Sequence, residues 1–390
     1  MRTASFRWDV AFIALVALAA LTLVGCTRPP PRRAPEGVQL TPLKTYSRFT
    51  SRLLLRLVGV SGIGVAYDVD CYRMLYQTHD GAGNPIEASG LLALPHDAQA
   101  RRLVSFQHGT TTTRAAVPSR LDVTGKAAAI VFAGNGYGLI APDYIGLGSS
   151  RMQHPYLIAE DAARAVTDMI TAARGIEGVP SGPVFLSGFS QGGQASLAAL
   201  RTLESDGEHV LGAAPVAGPY DLRNTFGTAL LGHAPQDSLY LAYLSWAYAG
   251  HYGHPLESVL TPDYARRARD LFGSPHLPKQ IMAALPANPR AMFNAAFLHA
   301  FDSHGSHWLL DALTQNDVSD WSPRAPVRLY YGSADLDVVP EETLKAQRAF
   351  RARGSDVTAV DVGPVDHEAS MVAAAPLILA WLERLDGGGR

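Results

Sequence analysis

The segment Val184-Phe185-Leu186-Ser187-Gly188-Phe189-Ser190-Gln191-Gly192-Gly193 constrains the fold more than any other part of the chain. A short apolar run of strand length leads into it, and Gln194 to Leu203 is a run of good helix formers. The glycines between leave no length for a gradual connection, so the chain turns sharply from strand to helix. The turn forces the serine at its apex into a strained backbone conformation. Side chains at Gly188 or Gly192 would crowd the neighbouring strand and helix. Ser190 thus stands where an attacking hydroxyl is needed.

From Val65 onward, short apolar runs alternate with longer helical patterns, the mark of an α/β chain with a mostly parallel sheet. Eight strands are expected: Val65 to Gln77, Ile86 to Leu94, Leu103 to Gln107, Gly138 to Ala141, Val184 to Ser187, Leu211 to Val216, Val327 to Tyr331 and Val357 to Val362. The clearest helix carries Ala159, Ala162, Ala163, Val166, Met169, Ile170 and Ala173 at three- and four-residue steps, with Pro155 expected in its first turn. Between Tyr220 and about Trp321 the alternation stops and the chain becomes helical and aromatic, with Tyr240, Tyr243 and Ala247 on one face and Phe293, Phe297 and Phe301 on another. An insertion between the sixth and seventh expected strands lies beside the carboxyl ends of the sheet, where open α/β sheets bind ligands, and reads as a cap. Most of its aromatics are expected to fill its own core.

A serine hydroxyl needs a base within hydrogen-bond reach, and an acid to orient that base. The run Val327 to Tyr331 leads into Gly332-Ser333-Ala334-Asp335, which places Asp335 just past a strand end as the acid; Asp337, two residues on, is the alternative. The last expected strand is followed by Gly363-Pro364-Val365-Asp366-His367 and a helix, so His367 is the base among 13 histidines, and Asp366 reads as a solvated carboxylate. Oxyanion donors are expected from the N–H of Gln191 and from Gly109 or Thr110, in the His-Gly loop after Leu103 to Gln107, with His108 shaping that loop.

A formal net charge of -2 provides no broad positive field, so nucleic acid is not an expected partner. The glycines of Ala133-Gly134-Asn135-Gly136-Tyr137-Gly138 follow a helix and precede a strand, the reverse of a dinucleotide loop, so they read as a helix stop and no cofactor is expected. No metal-ligand spacing occurs among His, Cys and carboxylates. At the N-terminus, Arg2 and Arg7 precede an apolar run from Val10 to Val24, the order of an export signal. Leu23-Val24-Gly25-Cys26 resembles the lipobox of bacterial lipoproteins, which implies acylation of Cys26 and a membrane partner, with Thr27 favouring the outer membrane. Cys71 then has no partner and reads as a small buried hydrophobe. The expected division is a signal peptide over 1–25, a Pro-rich tether over 26–45, a core of 46–221 and 321–390, and the cap over 222–320.

Taken together these motifs resemble the α/β-hydrolase superfamily. Ala141-Pro142-Asp143-Tyr144-Ile145-Gly146-Leu147-Gly148, the helix after it, the elbow and the long insertion resemble the secretory lipases and their bacterial relatives. The resemblance implies hydrolysis of carboxylic esters through an acyl-enzyme, no cofactor, a cap that forms part of an acyl pocket, and Asp143 and Tyr144 near its rim. A peptidase on the same fold, or a silent surface-binding protein, are the other readings; oligomeric state is not legible.

Overall fold

The computed structural model describes residues 28–387, so Cys26 and the expected export signal lie outside the described residues. Its nine strands form one sheet in the order β1-β2-β3-β5-β4-β6-β7-β8-β9. These are β1 (Gln39–Tyr46), β2 (Val69–His79), β3 (Pro85–Pro95), β4 (Leu103–Gln107), β5 (Gly138–Pro142), β6 (Val184–Phe189), β7 (Val210–Val216), β8 (Val327–Tyr331) and β9 (Val357–Asp361). From β5 through β9 every neighbouring pair is parallel, while β1, β2 and β3 add an antiparallel edge. The mostly parallel architecture is the expected one. The near-continuous apolar runs of β4, β5 and β6 are buried at every position because helices cover both faces.

On one face pack α3 (Ala159–Ala173), α4 (Gln191–Ser205) and α11 (Pro340–Ala352); on the other pack α1 (Arg48–Leu57), α2 (Val123–Ala133) and α12 (His367–Gly387). The alanines of α3 let it lie close to the sheet, and Met169 and Ile170 are fully buried beneath it. Pro155 stands before this helix, in the turn that leads to its first residue, rather than inside its first turn. Gly134 ends α2 and Gly136 takes the left-handed region at φ 87°, as the helix-stop reading of this run requires. Cys71 is buried and free on β2, and burial pushes its thiol pKa up, so it packs as an inert hydrophobe.

The N-terminal segment differs from expectation in two ways. The sheet has nine strands rather than eight, because Gln39–Tyr46, all but its last residue in the span read as tether, pairs with β2. The residues before it do not stand clear of the domain. The Pro30 carbonyl accepts from the Tyr72 hydroxyl at 2.9 Å, the Arg32 guanidinium donates to the same hydroxyl at 3.1 Å, and Pro35 packs flush on Gly175. The Pro35 ring and the Arg32 side chain therefore pack on the domain, beside Tyr72 of β2 and the turn after α3.

Between β7 and β8 run α5 (Leu222–Ala229), α6 (Asp237–Tyr252), α7 (Pro262–Gly273), α8 (Pro278–Ala284), α9 (Ala295–Asp302) and α10 (Trp308–Gln315). They share a core of their own, in which Phe226 meets Phe293 and Phe297 edge-on at 5.6 and 5.8 Å between ring centres. Its first residues are clamped to α11: Glu342 accepts from the N–H groups of Tyr220 and Asp221 and from the Asn224 amide, and Asp317 accepts from the Leu222 N–H at 2.7 Å. Burial pushes both the Glu342 and Asp317 carboxyls up to about 7. Their raised folded-state pKa values favour the fold most below the ordinary carboxylate range, and that contribution is lost as pH climbs through 7. Thermal unfolding followed by circular dichroism should therefore give a melting temperature that drops between pH 5 and pH 8. Glu342→Gln should flatten the drop and raise the melting temperature at pH 8 relative to wild type.

Candidate active site

Every expected site residue among the described residues lies at the carboxyl ends of the parallel strands, where the connections leave the sheet. Ser190 follows β6 directly and has φ 56° and ψ −120°, a backbone conformation that L residues rarely adopt. The turn is held by the Ser190 N–H donating to the Val216 carbonyl at 2.9 Å, and by the Gly193 N–H donating to the Ser190 carbonyl at 2.7 Å. A Cβ at Gly188 would lie 2.2 Å from the Gly192 carbonyl oxygen, and one at Gly192 would lie 2.0 Å from the Gln107 carbonyl oxygen. Both glycines are thus required by backbone-to-backbone contact, as their spacing around Ser190 implied.

The loops after β8 and β9 are zipped together. The Ser333 N–H donates to the Gly363 carbonyl at 2.8 Å, the Ala334 N–H donates to the Val365 carbonyl at 3.2 Å, and Gly332 leaves the Val365 carbonyl the space a Cβ would take. This places Asp335 Oδ2 2.7 Å from His367 Nδ1, with both side chains buried. The other oxygen, Asp335 Oδ1, accepts from the N–H groups of Asp337 and Val338 at 2.9 and 3.0 Å. Asp335 is therefore held from both sides, and its bond fixes a proton on Nδ1 of His367. Nε2 of His367 is buried with no protein partner. Burial opposes a charge on His367, but the hydrogen bond and charge of Asp335, helped by Asp337 and Glu368, outweigh it and raise its pKa above the ordinary 6.5.

Asp337, the alternative acid, does not reach His367 Nδ1. Its carboxyl lines a cavity, Oδ1 is buried without a partner, and burial raises its pKa. Asp366 is exposed, as a solvated carboxylate is expected to be, and its side chain also accepts from the Ala369 N–H at 2.9 Å and so caps α12, whose first residue is His367. That cap explains why aspartate precedes the histidine here.

Ser190 and His367 line one cavity together with Tyr156, Leu157, Leu222, Phe226, Tyr240 and Leu241, so the inserted helices wall it on one side. Tyr240 and Tyr243, expected on one face of α6, divide their contacts: Tyr240 faces this cavity, and Tyr243 stacks on Tyr156 at 4.6 Å and lines a second one.

The loop after β4 abuts the elbow, with Gly109 against the Phe189 ring and the Gln107 and His108 carbonyls over Gly192. His108 shapes this loop as expected, its Nδ1 lying 2.7 Å from the Gly109 carbonyl. The Thr110 hydroxyl pairs with the Tyr156 hydroxyl at 2.9 Å. Gln191 is the first residue of α4, where a backbone N–H has no acceptor within its own helix. Asp143 and Tyr144 are buried rather than at a rim. Asp143 takes a hydrogen bond from Ser89 at 2.5 Å and one from the Ser119 N–H at 2.9 Å, and the Tyr144 hydroxyl donates to the His108 carbonyl at 3.0 Å. Sequence reasoning missed His154, whose Nε2 lies 2.9 Å from the Gln191 side-chain amide. Nothing in Arg151-Met152-Gln153-His154-Pro155 marks it.

No family model matches the chain, and no curated protein matches it in sequence. Solved structures do. A protein from Legionella pneumophila assigned as a hydrolase superposes with a TM-score of 0.79 at 27% identity, over 93% of this chain and 97% of that one. The rice cell wall degrading esterase LipA from Xanthomonas oryzae superposes with a TM-score of 0.79 at 26% identity, over 93% of this chain and 100% of that one. Candida antarctica lipase A in its closed state shares the fold, with a TM-score of 0.66 at 16% identity over 82% of this chain and 78% of that one. With its sheet order, strained serine turn and these likenesses, the chain has the α/β-hydrolase fold, and the solved structures it resembles at 26–27% identity are a hydrolase and an esterase.

Proposed function

We propose that the chain cleaves carboxylic esters by two-step acyl transfer, with Ser190 as nucleophile, His367 as general base and acid, and Asp335 as the residue that orients His367. The observation that carries this reading is the convergence on one cavity of a serine in a strained turn and a buried histidine whose Nδ1 is tied to a carboxylate while its Nε2 is left free. Ser190 Oγ attacks the ester carbonyl as its proton passes to His367 Nε2. The carbonyl oxygen becomes an oxyanion facing the N–H of Gln191 and that of Gly109 or Thr110. His367 returns the proton to the departing alkoxide as the C–O bond breaks, leaving an acyl-serine and a free alcohol. Water, giving its proton to the same Nε2, then releases the acid and restores Ser190.

An ester rather than a peptide substrate is supported by the cavity wall, which Leu222, Phe226, Leu241 and Leu244 share with Ser190 and whose ionisable groups besides tyrosine are Asp337 and the histidine itself. The likeness to an esterase that covers its whole length supports the same choice. Export and acylation at Cys26 belong to the same proposal, and would hold the active site at an envelope surface.

Hydrolysis of chromogenic esters from short to long acyl chains, run beside a peptide panel, tests the reaction. Wild type is expected to turn over esters with a chain-length optimum and leave the peptides intact, and Ser190→Ala to lose at least about a thousandfold in kcat. Activity from Ser190→Ala equal to wild type would remove the nucleophile assignment.

The two aspartates separate in the same assay. Asp335→Asn should cost about a thousandfold or more in kcat, since the wrong tautomer of His367 would then be favoured, whereas Asp337→Asn should cost less than about tenfold. Because His367 must be neutral to accept a proton and its pKa is raised, kcat/KM should fall as pH drops, with a midpoint above 6.5. The residual activity of Asp335→Asn should show that midpoint shifted to lower pH.

A further inference from the structure

We infer that His154 is a positioning residue for the oxyanion site, acting on Ser190 chemistry through the side chain of Gln191. The inference rests on the proposed role of the Gln191 N–H as an oxyanion donor.

His154 lies on the connection from β5 to α3 and is buried, with its Nδ1 2.6 Å from the Ile145 carbonyl and its Nε2 2.9 Å from Gln191 Nε2. A carbonyl can only accept, so the proton resides on Nδ1, and Nε2 presents a lone pair to the Gln191 amide. Burial, set against the Ile145 hydrogen bond, lowers the His154 pKa to about 4, so this neutral tautomer persists through the neutral range. Without the His154 acceptor, a buried amide beside the nucleophile would be left unpaired, because the same amide's Oε1 already lacks a partner.

The position of His154 is itself tightly set. A Cβ at Gly146 would lie 2.3 Å from the His154 Cα, so that glycine exists to let the two strands of the loop touch, and it takes φ 83°. The Tyr144 ring stacks on the imidazole at 6.0 Å between centres. The same loop grips the other half of the oxyanion site. The Tyr144 hydroxyl donates to the His108 carbonyl at 3.0 Å, and the Tyr156 hydroxyl pairs with Thr110 at 2.9 Å. One loop therefore holds the Gln191 side chain with one residue and the Gly109-Thr110 segment with two others. The separation of the two donor N–H groups follows from the shape of that loop. Since donors must be in place before charge develops, loosening this hold should weaken the transition state more than the ground state.

The test is a double-mutant cycle on the full chain with an ester that wild type hydrolyses, using His154→Phe, Gln191→Met and the double variant. Active-site titration with a fluorophosphonate counts competent enzyme, and melting temperature reports folding. Each single variant is expected to lose about ten- to thirtyfold in kcat with KM within about twofold, and the double variant no more than the worse single one. Affinity for a boronic acid, which mimics the tetrahedral adduct, should fall by the same factor as kcat/KM. Losses that multiply in the double variant, or that fall on KM alone, overturn the inference. If His154→Phe fails to fold, Gln191→Met decides alone: full kcat with unchanged boronic acid affinity overturns it, and a matched loss in both supports it. Should wild type hydrolyse no ester, or Ser190→Ala hydrolyse as well as wild type, it is the proposed function that fails, a result distinct from any in the cycle.

Discussion

The backbone at Ser190 is the constraint around which the molecule is arranged. A serine at φ 56° and ψ −120° costs on the order of 1–3 kcal/mol and persists only where its surroundings over-determine it. Here β6 is paired on both sides by parallel neighbours, α4 is buried along its inner face, and the glycines at 188 and 192 let backbone meet backbone without an intervening Cβ. Gly193 adds to this by packing against Gly218, at the end of the next strand. Once these contacts are made, the hydroxyl has one place to go, above the carboxyl edge of the sheet and facing the loops from β4, β8 and β9.

Those loops are fixed by different means. The loops after β8 and β9 share backbone hydrogen bonds that hold Asp335 and His367 together, and the Asp366 cap ties the histidine to the start of a long helix. The Gln191 side chain and the His108 to Thr110 loop are held by side chains instead, from Tyr144, His154 and Tyr156 on a single connection. Backbone zippering resists substitution because no one side chain carries it. This second arrangement concentrates its order in three buried aromatic rings, where a single replacement can be felt.

The inserted helices have their own apolar core but are not independent of the edge that carries Ser190 and His367. Glu342, at the start of α11, receives the first N–H groups of the insertion, and Asp317 at its far end accepts from Leu222. Both legs of the insertion thereby meet at one buried acidic site, just beyond the β8 loop that carries Asp335. The wall of Leu222, Phe226 and Leu241 that faces Ser190 is positioned by this attachment as well as by its own packing.

Local pattern alone determined the sheet from β2 to β9, the serine turn, the helix stop at Gly134 and the place of His367 just past the last strand, because each depends on short-range rules: apolar runs of strand length, glycine where no Cβ fits, and order along the chain. It missed β1, since Gln39–Tyr46 mixes polar and apolar residues at a half-exposed edge and follows a proline run that reads as extended spacer. It could not decide between Asp335 and Asp337, two carboxylates in one turn, because only the folded loop shows which of them meets Nδ1 of His367 and which faces the cavity. It read Asp366 as a solvated carboxylate, which its exposure bears out, but missed its helix cap, and it gave His154 no role at all. What tertiary structure decided was the set of side-chain contacts between segments far apart in sequence, such as His154 with Gln191 or Glu342 with Tyr220. Those partners meet only after the sheet is assembled, and no spacing along the chain encodes a hydrogen bond whose donor and acceptor are brought together by the packing of other elements.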